Sequence, residues 1–314
     1  MKLEGTWVDF RHQNRFDGDY WNDQTRLFTA QQWRGKVAEI HQLKMDTIVL
    51  MSSTLDNRAF FPSKFVADQW DLACNEPIQA VLEEAGRRKM RVFVSAGFYG
   101  HTTEETSDAP DFLDWHRKLS DDLWSRYGHL AAFYGWYIPN EAEINGQFSE
   151  KYVGFTATFA AHLRAISPGA KILIAPYGTN KVTETDCFVE QLQRLGVDFI
   201  AYQDEIGVQK TRLEQLPEIY GRLERLHRRA GLPLWADIEI FDFEGAVYQS
   251  PLIPAKMERV EEQLRLIGPH IEKALCYQTH GLMNPAGSPQ HCGHPSSVQF
   301  YLDYLNWLKR VEGQ

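Results

Sequence analysis

A single-domain (β/α)8 TIM barrel spanning residues 1–314 is the fold this sequence predicts. Short runs of β-branched and aromatic residues alternate strictly with amphipathic runs, eight of each, and that alternation calls for parallel strands with helical crossovers. No shift in composition marks a linker, and no sequence repeat divides the chain. Length alone would allow two domains, yet α/β barrels of this size fold as one. An open doubly wound sheet is the competing arrangement of the same pattern.

The first strand is Thr6-Trp7-Val8-Asp9-Phe10, followed by a polar loop over 17–23. Thr29 is an expected N-cap for a helix through Leu43, with Trp33, Val37 and Ile40 at helical spacing. Asp46 to Met51 is the second strand, and a long loop with Phe60, Phe61 and Pro62 follows it. Pro77 opens a helix to Lys89 that carries Ile78, Val81, Leu82 and Ala85 on one face. Arg91 to Ser95 is strand three and Pro110 to Tyr127 its helix. Strand four runs from Phe133 to Ile138, and Pro139 should end its pairing.

Ser149 to Ile166 is helical and stops at Ser167-Pro168-Gly169. Lys171 to Ala175 is strand five, and Asp186 to Leu195 a short helix ended by Gly196. Val197 to Tyr202 is strand six, with a helix from Leu213 to Ala230 stopping at Gly231. Pro233 to Glu239 is strand seven, and Pro254 to Leu266 its helix, ended by Gly268-Pro269. Ile271 to Tyr277 and Ser296 to Val311 complete the set.

Composition narrows the function classes. The net charge is −9, without basic patches or tails, which argues against nucleic acid and anionic membranes as partners. Four scattered cysteines, Cys74, Cys187, Cys276 and Cys292, make no CxxC pair and no disulfide framework. The first residues lack an apolar signal segment, and no run of 18 apolar residues exists, so a cytoplasmic location is expected. A chain whose leader had been removed would read the same way. Oligomeric state is not legible. The nine tryptophans fit an aromatic-lined cleft for sugar rings as well as a tryptophan-rich core.

Active sites of such barrels lie at the C-terminal ends of the strands. Those ends gather Asp9 and Arg11, Asn140 and Glu141, Tyr99, Tyr177, Tyr202 and Asp204, Glu239 and Phe241, Tyr277 and His280. The set is acidic, amide and aromatic. No lysine stands at a strand end, against Schiff-base chemistry, and no glycine-rich phosphate loop or dinucleotide fingerprint is present. His280, His291, Cys292 and His294 cluster late in the chain, but at no standard zinc spacing, so neither metal nor cofactor is expected.

Two carboxylic acids across a cavity suit glycoside cleavage. Glu141 and Glu239, three strands apart around the ring, are the expected pair, with carbohydrate as the partner; Glu143 is the alternative acid. A non-catalytic carbohydrate-binding barrel and a metal-dependent barrel lyase or isomerase remain open at this point.

Asn140-Glu141 after strand four and Glu239 at strand seven resemble the large clan of retaining barrel glycosidases. The resemblance implies Glu141 as acid/base, Glu239 as nucleophile, Asn140 on the sugar 2-hydroxyl, and Tyr202 hydrogen-bonded to the nucleophile. Strand eight departs from that clan, because Tyr277-Gln278-Thr279-His280 lacks the sugar-stacking tryptophan. Gly5-Thr6-Trp7, Trp136 to Glu141, Gln203 to Val208, Trp235 to Phe241, Tyr277 and Met283-Asn284-Pro285 resemble the DUF4434 family of barrel glycosidases more closely.

Overall fold

The structure, a computed structural model, describes residues 1–97 and 111–313. Among them, eight parallel strands close into a barrel: β1 Leu3–Val8, β2 Thr47–Leu50, β3 Arg91–Ser95, β4 Phe133–Tyr137, β5 Lys171–Ile174, β6 Phe199–Gln203, β7 Leu234–Glu239 and β8 Lys273–Tyr277. Each strand pairs with the next in sequence, and β8 returns to β1 with Cys276 opposite Thr6. The barrel that the alternation predicts is therefore the barrel observed.

Side-chain parity sorts the core into two layers. Trp7, Val49, Phe93, Tyr137, Leu173, Ala201, Trp235 and Leu275 point inward and fill the barrel. Their neighbours Ile48, Val92, Trp136, Ile172, Ile200, Ala236 and Cys276 belong to the outer layer against the helices. Phe199 and Trp235 stack inside at 4.0 Å between ring centroids. At Gly135 the adjoining strand comes too close for any side chain, since a Cβ would lie 2.3 Å from the Lys171 carbonyl oxygen.

Among the described residues the helices that follow the strands are α1 Ala30–Gln42, α2 Pro77–Arg87, α3 Phe112–Tyr127, α4 Glu150–Ile166, α5 Asp186–Arg194, α6 Leu216–Ala230, α7 Met257–Ile267 and α8 Ser297–Glu312, and a short helical stretch, Asn22–Arg26, lies in the loop after β1. Thr29 caps α1 as expected, in a reciprocal box with Gln32. The seventh helix starts at Met257 and not at Pro254, because Leu252–Pro254 is committed to an antiparallel pair with Phe241–Phe243. The loop after β2 likewise folds on itself, as a small sheet of Thr54–Leu55, Arg58–Ala59 and Asp68–Gln69.

The loop after β8 is fastened to α1 by a buried polar network. Lys36 Nζ lies 2.9 Å from Glu39 Oε2 and donates to Asn284 Oδ1 at 2.5 Å. Ser288 donates to Glu39 Oε1 at 2.5 Å, and Gln290 donates to the same oxygen. Asn284 in turn donates to the Cys292 carbonyl at 2.7 Å. The late histidines and Cys292 serve this loop: Cys292 Sγ donates to the His280 carbonyl, and His294 contacts Ser296. Among the described residues no group of three or more His, Cys, Asp or Glu could hold a metal ion, and no helix is long and apolar enough to cross a membrane.

Candidate active site

A cavity of about 140 Å³ opens at the C-terminal end of the barrel. Glu141 and Glu239 both line it, as do Asp9, Arg11, Phe241 and Tyr277. The two glutamates, distant in the chain, meet over one hollow.

Parity on β7 builds one wall. Trp235 packs inside the barrel, and Asp237 and Glu239, the next residues on the same face, reach the cavity. Glu239 is 3% exposed. Its Oε2 accepts the Val208 N–H at 2.9 Å, and its own N–H donates to Asp204 Oδ1 at 3.3 Å. Asp204 Oδ1 also accepts the Ile206 N–H at 3.2 Å, and Oδ2 accepts from Gln263 at 2.5 Å. The segment from Gln203 to Val208 is thus a clamp on the end of β7. Gly207 lets it close, because a Cβ there would lie 2.7 Å from the Phe241 carbonyl oxygen. Burial and then the neighbouring Asp204 charge push Glu239 well above the usual carboxylate range, while Val208 and Arg259 pull it back. Burial likewise raises Asp204 to about 6, against its Gln263 hydrogen bond.

The opposite wall comes from β4. Tyr137, inside the barrel, donates to Glu141 Oε1 at 3.3 Å. Glu141 is half-buried beyond the strand end. Burial raises it to about 7, and hydrogen bonds from Gln203 and Tyr137 limit the rise. A carboxyl at that value holds and releases a proton near neutrality.

From β1 and β8, Tyr277 donates to Asp9 Oδ2 at 3.2 Å, and His280 Nε2 lies 2.9 Å from Asp9 Oδ1. Burial pushes Asp9 upward, but the charge and hydrogen bond of His280 outweigh it, so Asp9 stays below the usual carboxylate range. The Arg11 guanidinium lies over the Trp70 ring, 4.9 Å from its centroid.

Other expected site residues stand elsewhere. Tyr202 does not reach Glu239: on the outward parity of β6, its hydroxyl lies 2.9 Å from His227 Nε2 behind the barrel. The inward neighbour Gln203 is the β6 residue that lines the cavity. Asn140, Tyr177, Asp204 and His280 are also off the cavity wall, Asp204 acting through the clamp and His280 through Asp9. Glu143 is exposed and paired with Lys181 at 2.5 Å, which removes it as an alternative acid. Tyr99 lies outside the described residues.

The wall also contains residues not anticipated: Asp17, Asp237 and Tyr248. Asp237 could have been found from its parity with Glu239. Asp17 and Tyr248 sit in loops that carry no such signal.

Solved structures share this architecture. A candidate α-L-fucosidase from Bacteroides thetaiotaomicron VPI-5482 aligns with a TM-score of 0.78 at 17% identity, over 98% of this chain and 94% of that one. The endo-1,4-β-mannanase of Rhizomucor miehei aligns with a TM-score of 0.61 at 11% identity, over 98% and 95%. A β-galacturonidase from Eisenbergiella tayi, bound to galacturonate, aligns with a TM-score of 0.56 at 13% identity, over 88% of this chain and 44% of that one. At these identities the likeness is one of fold. No curated protein sequence matches the chain. The profile of the family described as "Domain of unknown function (DUF4434)" matches residues 3–293, and with nearly its whole length covered the chain belongs to that family.

Proposed function

We propose that this protein is a glycoside hydrolase that cleaves O-glycosidic bonds with retention, Glu141 serving as acid/base and Glu239 as nucleophile. The observation that carries the proposal is the shared cavity: two glutamates from β4 and β7 line one hollow at the catalytic end of the barrel. The glycoside hydrolases among its structural neighbours support the reaction class.

Each group has one task. Glu141, raised to about 7, gives its proton to the departing oxygen and later takes one from water. Glu239 attacks the anomeric carbon once ionised, and the Val208 N–H holds its carboxylate in place. The resulting glycosyl ester is hydrolysed by the water that Glu141 deprotonates. Asp9, fixed by Tyr277 and His280, is placed to accept a sugar hydroxyl.

The test is turnover of aryl glycosides by Glu239→Gly and Glu141→Ala. Both should lose activity by at least about 1,000-fold, an order typical of removing a principal catalytic group. Azide should restore Glu239→Gly and yield a glycosyl azide. Full activity in both variants would refute the assignment, and an inverted anomer in the wild-type product would refute retention.

A further inference from the structure

We infer that Asp17 and Asp237 hold the sugar in this cavity, and that the sugar they accept presents hydroxyls and no carboxylate. The inference rests on the glycosidase reading and names the substrate class of the same site.

Asp17 and Asp237 line the cavity at 6% and 4% exposure, and the Oδ1 atom of each is buried without a hydrogen-bond partner. Buried polar atoms are normally satisfied, so two such oxygens on one hollow call for donors brought by a ligand. Asp237 stands two residues before Glu239 on the inward face of β7, and both line the cavity. Asp17 comes from the loop after β1, and its carbonyl accepts the Leu252 N–H at 3.1 Å, which fixes the loop against the short antiparallel pair. Sugar hydroxyls are the donors that fit.

A uronate would bring the wrong charge. Five carboxyl residues line the cavity, Asp9, Asp17, Glu141, Asp237 and Glu239. The basic side chains on its wall are Arg11, laid over Trp70, and His12, whose Nδ1 is taken up by the Asn14 backbone. A ligand carboxylate would add to the burial and like-charge crowding that already push Asp237 and Glu239 towards their protonated forms. The barrel bound to galacturonate therefore shares this fold but not this ligand class.

The experiment is calorimetric titration of the intact protein with neutral monosaccharides (glucose, galactose, mannose, fucose) and with glucuronate and galacturonate. At least one neutral sugar should bind, the uronates at least about 10-fold more weakly, and Asp17→Asn and Asp237→Asn should each weaken neutral-sugar binding by about 10-fold, the order for one charged hydrogen bond. Circular dichroism checks folding; if Asp237→Asn does not fold, Asp17→Asn in its loop carries the test. Uronate binding as tight as neutral-sugar binding overturns the inference, as does unchanged binding in the folded variants or no sugar binding at all. Sugar binding with these losses but no hydrolysis by the wild type supports it and removes the hydrolase reading alone. Hydrolysis with unchanged binding in the variants removes this inference alone.

Discussion

Glu141 and Tyr137 carry the sharpest chemistry at the scale of single residues. The value of about 7 for Glu141 fixes a sign. The acid step needs Glu141 protonated and the attack needs Glu239 ionised, so kcat/KM should be bell-shaped in pH, with the loss of the Glu141 proton contributing an alkaline fall through about 7. Tyr137 donates to the carboxylate and thereby favours ionisation. Tyr137→Phe should therefore raise the pKa of Glu141 and move the alkaline limb to higher pH. A pH–rate profile of both proteins checks this, and an unmoved or lowered limb would count against the assigned acid. Legibility at this scale was set by parity. Glu141 and Glu239 announce themselves as acids at strand ends, but the face a side chain takes depends on counting alternate positions. Counting from Trp235 would have found Asp237, and counting from Ala201 would have chosen Gln203 over Tyr202.

Among elements, the clamp between β6 and α6 decides how β7 presents its glutamate. Gly207→Ala would place a methyl against the Phe241 carbonyl, a rigid backbone atom. The expected result is about 1–3 kcal/mol of destabilisation from overpacking, with a loss of kcat beyond that effect as the Val208 N–H draws away from Glu239. Chemical denaturation beside steady-state kinetics separates the two. The sequence shows the clamp as a turn-rich run with Asp and Gly, and its helix and strand neighbours are legible from periodicity. Its contacts with β7 are not, because they join residues more than 30 positions apart.

For the whole molecule, closure of the ring brings the last loop onto α1. The alternation of elements foretold the closure, but nothing local foretold that Lys36 would be buried with Glu39 and Asn284. Met283-Asn284-Pro285, a stretch carrying the family resemblance, works in this seal and not in the cavity. Glu39→Ala would strand a buried ammonium and should cost about 3–5 kcal/mol, whereas Lys36→Met with Glu39→Leu should cost far less. Urea titrations of the single and double variants check both, and equal losses would disprove the seal. The short antiparallel pair Phe241–Phe243 and Leu252–Pro254 bears on redesign. Its tip residue Tyr248 reaches the cavity, while Glu239 is anchored separately by β7 and Val208. Swapping that tip for a turn of different length would reshape the mouth of the cavity while leaving the anchorage of Glu239 beneath it in place, much as a nozzle is changed on a fixed tool.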